Sequence, residues 1–451
     1  MIAQAEARAA ELRRQVAADP HDRVGWHNLA AVAGDLGRAE EAERAARQAI
    51  ALGIPAPETR LVLGRALIEL ARLDDAERAF EEAIALRPGY VEAHYDLAQL
   101  RWMRTGRVPE ALRSIDAALA KAPADIGLLL VRAIALEYAG EPAEALAAVR
   151  RGLGLAPDDV QMLRQASHLC AALNLGEQAA THAQRAVSLA PADPLALINL
   201  CEALLASGRI AEAEAVSARL QAMRPLDQHA VALRATAWRL LGDARYQRLH
   251  DYGALVQSAA LEVPPGWSQL GDFLRDLADE LERLHSFRMH PFQQSVRGGG
   301  QLNFTPADLE RPLIKALFGS LRLAIRGYVE RLGSGDDPLR WRNSGRFAMG
   351  SAWSVRLASG GYHTDHVHPF GWLSSAFYVT LPADMSQASP RAGWLRLGKP
   401  GLTTRPVLEA DFFVQPRVGH LVLFPAYMWH GVEPFASERP RMTVAFDALP
   451  A

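Results

Sequence analysis

Prolines recur at a nearly constant interval through the first half of the chain. They stand 33 to 35 residues apart, at Pro20, Pro55, Pro88, Pro123, Pro157, Pro191 and Pro225. A series of alanines keeps an interval of 34 or 35 residues, at Ala42, Ala76, Ala111, Ala145, Ala179 and Ala213. Two series with one period indicate that a single structural unit is repeated roughly six or seven times.

The sequence inside each unit predicts two helices joined by a short turn. A run such as VEAHYDLAQLRWM is followed by RTGR and then by EALRSIDAALAKAP, and both longer runs have the apolar spacing of a helix. Alanine at a fixed position lets two helices pack closely, and proline after the second helix ends it. We therefore predict an all-α array of helix hairpins over residues 1–245.

Beyond residue 245 the regular interval stops and the composition changes. Three of the nine tryptophans precede this point and six follow it. Two helical runs, at 267–285 and 311–332, are followed by short apolar runs bounded by Gly and Pro, which are typical of strands. We predict a second domain over residues 246–451, a sandwich or barrel of antiparallel strands with the helices packed outside it.

Charge and cysteine content exclude several classes of protein. Lys plus Arg number 49 against 51 Asp plus Glu, and this balance predicts neither a nucleic-acid nor a membrane partner. Two cysteines are too few for a disulfide framework, which favours a cytoplasmic protein with both thiols in the core. The charged, Ala-rich start lacks the apolar stretch of a secretion signal, and no run is long and apolar enough to predict a spanning helix.

Ligand-type side chains concentrate in the segment YHTDHVHP, and His430 follows much later in the chain. Two ligands at i and i+2 on a strand face the same side, and a distant histidine can complete a triangle around a metal. Either His366 with His368 or His363 with Asp365 can supply the pair, because one strand directs only one such pair inward.

Four segments of the second domain have the pattern of a known family. They read SAWSVRLASGGYHTDHVHPFGWLSSAFYVTLP, LVLFPAYMWHGVEPF, PRMTVAFDALP and, upstream of these, QQSVRGGGQLNF. They resemble the bacterial tetratricopeptide proteins that end in an iron(II)- and 2-oxoglutarate-dependent oxygenase domain. The 34-residue hairpin likewise resembles the tetratricopeptide repeat, whose arrays form a right-handed solenoid with a concave groove. Where the family usually has Thr in the Gly-rich segment, this chain has Leu302 or Asn303.

The resemblance implies a double-stranded β-helix, or jelly roll, for the second domain. It also implies Fe(II), 2-oxoglutarate and O₂ as cofactors, with ascorbate as reductant. His-Pro followed by GWLSS is the part most like the family, so His366, His368 and His430 are the favoured ligands. His363 and Asp365 with His430 remain the alternative set.

Three further residues are predicted to bind the co-substrate. Arg441 follows His430 by 11 residues, on the next strand, where its guanidinium could grip the distal carboxylate of 2-oxoglutarate with two parallel hydrogen bonds. Thr443 faces the same way two residues on, and Tyr378 could reach the same carboxylate.

These features predict an Fe(II)/2-oxoglutarate dioxygenase that hydroxylates a protein or peptide held in the repeat groove. Two alternatives share some of the features. One is a non-catalytic tetratricopeptide scaffold with a vestigial cupin domain. The other is a metal-binding cupin with a different activity, such as isomerisation, which would have no need of Arg441.

Overall fold

The computed structural model describes residues 2–385 and 389–451. The chain forms two compact units, one that ends at Leu155 and one that begins at Ala156. The predicted boundary at residue 245 stays a prediction, because the repeat pattern continues into the second unit. Among the described residues, no helix is both long and apolar enough to cross a bilayer.

The first unit is built from α-helices alone in its described part. Its helices are α1 (Ile2–Ala18), α2 (Arg23–Asp35), α3 (Ala39–Ala51), α4 (Pro57–Glu69), α5 (Leu73–Leu86), α6 (Val91–Thr105), α7 (Val108–Lys121), α8 (Ile126–Tyr138) and α9 (Pro142–Leu155). The helices α2/α3, α4/α5, α6/α7 and α8/α9 form successive antiparallel hairpins, as the sequence predicts.

The second unit begins with further hairpins and continues into a β-rich region. Its helices are α10 (Val160–Ala172), α11 (Gly176–Leu189), α12 (Pro194–Ser207), α13 (Ile210–Met223), α14 (Gln228–Leu241), α15 (Arg245–Leu249), α16 (Tyr252–Leu255), α17 (Leu270–Leu284), α18 (Pro306–Leu309) and α19 (Pro312–Leu332). A 3₁₀ turn spans Arg340–Arg342.

Local sequence explains where the repeat helices begin and end. The carboxylate of an aspartate accepts backbone N–H groups at the start of five first helices, at Asp22, Asp125, Asp159, Asp193 and Asp227, which satisfies donors that a helix leaves unpaired. A residue with φ between +56° and +87° follows each first helix, at Gly37, Ala71, Gly106, Gly140, Asn174, Gly208 and Gly242. The periodic alanines are at most 2% exposed, so they lie where the two helices of a hairpin meet.

The strands of the second unit form one antiparallel sheet. They are β1 (Gln257–Ala260), β2 (Val296–Asn303), β3 (Phe347–His366), β4 (Leu373–Thr380), β5 (Leu395–Leu397), β6 (Phe412–Val414), β7 (His420–Pro425), β8 (His430–Val432) and β9 (Arg441–Pro450). The order is β1-β7-β4-β9-β3-β8-β5-β6, with β2 paired to β3. This nearly barrel-shaped arrangement confirms the predicted class, a helical solenoid followed by a jelly-roll domain.

The flanking helices cover one face of this sheet. Phe273 and Leu277 on α17 and Leu321 and Ile325 on α19 are fully buried in the core that the sheet residues form. This packing confirms that the two helical runs before the strands lie outside the sheet.

Helices α10, α12 and α14 lie directly against the connection between β5 and β6. The Thr403 hydroxyl donates to the Ala171 carbonyl at 3.0 Å, and the Arg405 backbone N–H donates to the Leu205 carbonyl at 3.0 Å. Arg239 on α14 donates to the Gly398 carbonyl at 2.9 Å. The last hairpins are therefore structurally part of the β-rich unit.

Candidate metal centre

Three histidines converge at the end of β3 and the start of β8. The ligand atoms of His366, His368 and His430 lie within 4.8 Å of one another, and the ring centroids of His366 and His430 are 4.1 Å apart. Among the described residues, this is the one group of three or more His, Cys, Asp or Glu side chains that come so close. The residues come together because His366 pairs with His430 across β3 and β8.

Hydrogen bonds fix the orientation of all three rings. His366 Nδ1 lies 2.9 Å from the Thr364 carbonyl oxygen, and His430 Nδ1 lies 3.0 Å from the Met428 carbonyl oxygen. His368 Nδ1 contacts the Asp447 carboxylate. Carbonyl and carboxylate oxygens only accept, so each Nδ1 carries the proton. The lone pair of each Nε2 is therefore the one that can bind a metal.

Burial keeps the imidazoles of His366 and His430 neutral. It lowers the pKa of His366 to about 3 and holds the pKa of His430 well below its ordinary value, with the neighbouring rings adding to the effect. Metals bind the neutral imidazole. The Nε2 lone pairs of these two rings are therefore free of protons and available to a metal.

The alternative pair, His363 and Asp365, lies beside this cluster but outside it. Both carboxylate oxygens of Asp365 accept hydrogen bonds from Arg396, each at 2.8 Å, and the Asp365 side chain is only 7% exposed in this pair. His363 stacks against His366 with centroids 6.0 Å apart, and its Nδ1 lies 3.1 Å from the Ser295 hydroxyl. Neither residue belongs to the cluster of three histidines, and the assignment of ligands stays a prediction.

Arg441 and Tyr378 are buried with polar atoms left unpaired. Among the described residues, no partner accepts a hydrogen bond from Nε or Nη1 of Arg441, and the Tyr378 hydroxyl also has none. The guanidinium carbon lies 5.2 Å from the centre of the Tyr378 ring. Burial lowers the pKa of Arg441. A buried guanidinium with two nitrogens that lack a partner, beside a buried hydroxyl, indicates a site for an anion.

The anion site and the histidines share one face of the sheet. Arg441, Thr443 and Asp447 project to the same side of β9, because side chains alternate along a strand, and Asp447 contacts His368. The positive charge of Arg441 also contributes to the depressed pKa of His363. Thr443 lies opposite Tyr378 in the register of β4 and β9. The structure thus brings the predicted co-substrate residues near the cluster.

Two details of the sequence interpretation are corrected. The strand β3 ends at His366, so His368 lies beyond it rather than two positions along it. The apolar strand before His430 ends at Pro425, and His430 begins a separate strand, β8. Both histidines lie beside a chain reversal, and runs of apolar residues do not locate such ends.

Three contributing residues were not found from the sequence. Asp447 contacts His368, Ser295 lies 3.3 Å from His366 Nε2, and Thr236 on α14 accepts a 3.0 Å hydrogen bond from the Trp429 indole. Asp447 follows Thr443 at even spacing on β9, and that spacing was the signal that could have revealed it. No sequence motif indicates that Ser295 or Thr236 makes these contacts.

Comparisons with known proteins find separate matches for the helical repeats and for the β-rich part of the chain. Residues 351–447 match a family model described as "Putative 2OG-Fe(II) oxygenase". Residues 61–126 and 130–194 match a tetratricopeptide repeat model. A search of curated proteins gives no match.

Several solved structures similar to this chain are described as tetratricopeptide repeat proteins. The C-terminal part of one from Cytophaga hutchinsonii is 14% identical, with 51% of this chain and 94% of that chain covered and a TM-score of 0.38. A thermophilic protein of Thermus thermophilus is 27% identical, with coverage of 41% and 99% and a TM-score of 0.32. One from Parabacteroides merdae is 15% identical, with coverage of 50% and 88% and a TM-score of 0.38.

Fold and site together define a helical-repeat protein whose C-terminal antiparallel sheet carries a cluster of three histidines. The repeats are tetratricopeptide repeats, and residues 351–447 match the model of a putative 2OG-Fe(II) oxygenase domain. The residues fit such a centre, since three oriented imidazoles can hold a metal and the unpaired Arg441 can hold a carboxylate.

Proposed function

We propose that this protein is an Fe(II)- and 2-oxoglutarate-dependent oxygenase that hydroxylates a protein or peptide. The observation that carries the proposal is the buried Arg441 on the same sheet face as the three-histidine cluster, since its Nε and Nη1 have no hydrogen-bond partner among the described residues. A metal-binding cupin without an anionic co-substrate gives no reason for this arginine, because an unpaired buried charge destabilises a fold.

Each residue has a defined task. The Nε2 atoms of His366, His368 and His430 would hold the metal. Arg441 and Tyr378 hold the distal carboxylate of the co-substrate, with Thr443 beside them. When bound, iron(II) supplies the chemistry in which 2-oxoglutarate and O₂ yield succinate, CO₂ and one hydroxyl group on the substrate.

Turnover of the co-substrate tests this activity. The purified protein with iron(II) and ascorbate should convert 2-oxoglutarate to succinate, measured by NMR, slowly when no second substrate is present. His430→Ala should abolish the conversion and the binding of metal. His368→Ala should do the same if His366 and His368 are ligands, whereas Asp365→Ala should do so under the alternative set. If the wild-type protein does not bind 2-oxoglutarate in the presence of iron(II), the proposed activity is wrong. The alternative of a non-catalytic scaffold with a vestigial cupin domain would then be favoured.

The substrate class rests on the repeats. Tetratricopeptide arrays serve protein–protein interaction in general, and binding at a repeat surface would raise the concentration of a peptide near the metal. Helices α10, α12 and α14 already contact the chain's own 398–411 connection. We therefore assign recruitment to the hairpins of the first unit.

A comparison of two proteins tests recruitment. The full chain and a chain that begins at Ala156, the start of the second compact unit, are incubated with cell lysate and assayed by mass spectrometry for added oxygen. The full chain should hydroxylate specific proteins much faster, while both should turn over 2-oxoglutarate at the same basal rate. Equal hydroxylation by both, or oxygen added only to metabolites, would contradict recruitment and leave the oxygenase intact.

A further inference from the structure

The cluster of three histidines differs in charge from the usual iron site of two histidines and one carboxylate. In that usual set, the carboxylate cancels one of the two positive charges of the metal. Three neutral imidazoles cancel none, and the nearby Asp365 is bound on both oxygens by Arg396. A metal held by His366, His368 and His430 would keep its full charge unless another anion lies close.

Asp447 is an anion in the appropriate place. Its carboxylate accepts the Nδ1 proton of His368, and the Ser374 hydroxyl donates to the same oxygen at 3.4 Å. Among the described residues, His368 is the one basic side chain within ion-pair distance of Asp447. The two side chains are only 12% and 17% exposed, so water screens their interaction weakly.

We propose that Asp447 supplies through His368 the negative charge that the three-histidine set lacks, and so sets the affinity of this centre for a divalent metal. The inference rests on the function proposed above. Asp447 acts as a positioning residue, because it touches the ligand and not the metal. A carboxylate behind a histidine fixes the ring and makes Nε2 a stronger donor, and the loss of such a partner typically weakens metal binding by about 10- to 100-fold.

Substitutions at Asp447 separate charge from orientation. Asp447→Asn keeps an oxygen that accepts the Nδ1 proton but removes the charge, whereas Asp447→Ala removes both. We expect calorimetry with Co²⁺ to show roughly 10-fold weaker binding for Asp447→Asn and up to about 100-fold weaker for Asp447→Ala. The visible absorption spectrum of bound Co²⁺ should shift in both variants. Asp276→Asn, an exposed carboxylate on α17 bonded to Trp267, is the control and should bind like the wild type.

A second substitution tests whether the charge is what matters. His368→Glu places a carboxylate directly on the metal, so Asp447 should then be dispensable. In a double-mutant cycle, Asp447→Asn should weaken Co²⁺ binding in the wild-type background and have no effect in the His368→Glu background. Circular dichroism melts establish that each variant is folded.

The outcomes distinguish this inference from the proposed function. If the wild type binds Co²⁺ and both Asp447→Asn and Asp447→Ala bind it within twofold, Asp447 does not set the affinity, and only this inference falls. If Asp447→Asn matches the wild type while Asp447→Ala is weak, the role is orientation and the charge argument is overturned. If the wild type binds neither Co²⁺ nor Fe²⁺, the proposed function itself fails.

Discussion

Replacing Arg441 with methionine should change co-substrate binding and protein stability in opposite directions. Arg441 is 2% exposed, and its Nε and Nη1 have no hydrogen-bond partner among the described residues. The buried charge therefore destabilises the fold unless an anion binds it. Methionine fills the space of the aliphatic part of arginine and carries no charge, so Arg441→Met removes the anion site and leaves an apolar side chain in its place.

The magnitudes follow from the contacts that are lost. Two charge-assisted hydrogen bonds to the distal carboxylate disappear, while Tyr378 and the metal still hold the co-substrate. We expect binding of 2-oxoglutarate to weaken by about 2 to 4 kcal/mol, roughly 30-fold to nearly 1,000-fold in Kd. Without co-substrate, the variant should be more stable by about 1 kcal/mol or more, since a hydrophobic side chain replaces an uncompensated buried charge.

Two measurements on the same protein test this reasoning. Calorimetry under anaerobic conditions gives the affinity of the Fe(II) protein for 2-oxoglutarate, and urea unfolding of the metal-free protein gives the free energy of unfolding. Arg356→Met is the matched control, because Arg356 lies on β3 but pairs with Glu282 at 2.8 Å near the surface. Unchanged affinity in Arg441→Met, or a loss of several kcal/mol of stability, would refute the assignment of Arg441 as an anion site.

Three further substitutions probe the surroundings of the centre. Tyr378→Phe should weaken 2-oxoglutarate binding by about 1 kcal/mol in calorimetry, because it removes one neutral hydrogen bond; an unchanged Kd would place the hydroxyl outside the site. Thr236→Val should cost about 1 to 3 kcal/mol in urea unfolding by leaving the Trp429 N–H unpaired, and Thr236→Ser should restore it. Burial lowers the pKa of His250 to about 3 in the folded protein, whereas the pKa is roughly 6.5 in the unfolded chain. Below pH 6.5 the unfolded state therefore binds more protons than the folded state. The free energy of unfolding should fall by up to about 1.4 kcal/mol for each pH unit by which the pH is lowered. His250→Phe should make this decline shallower, whereas the exposed His21→Asn should not; equal slopes would contradict the argument.

The repeats were predictable because each unit repeats its own signals. Alanine at helix contacts and proline two residues beyond a second helix, as at Pro88 and Pro123, recur often enough to identify the hairpin. The strand β2 was not predictable as a strand. Its run of three glycines has a low propensity for strands, yet a Cβ on Gly299 would lie 2.4 Å from the Arg356 carbonyl oxygen. Glycine is present there because β2 and β3 lie too close for a side chain.

The sequence predicted which residues could form the site, but it did not predict how they are arranged in space. Spacing indicated two pairs of ligands, and only the pairing of β3 with β8 brings His366 beside His430. The partner of Asp365, Arg396, lies on β5 across a long connection, so no local pattern shows that the carboxylate is already bound. Contacts between residues far apart in sequence depend on the whole fold.

Anomalous X-ray diffraction from crystals of the Fe(II) protein with 2-oxoglutarate, kept without oxygen, tests the central claim most directly. The account predicts one iron bound by the Nε2 atoms of His366, His368 and His430, with the co-substrate carboxylate against Arg441 and Tyr378. Iron on Asp365 and His363, or a co-substrate that does not contact Arg441, would contradict it.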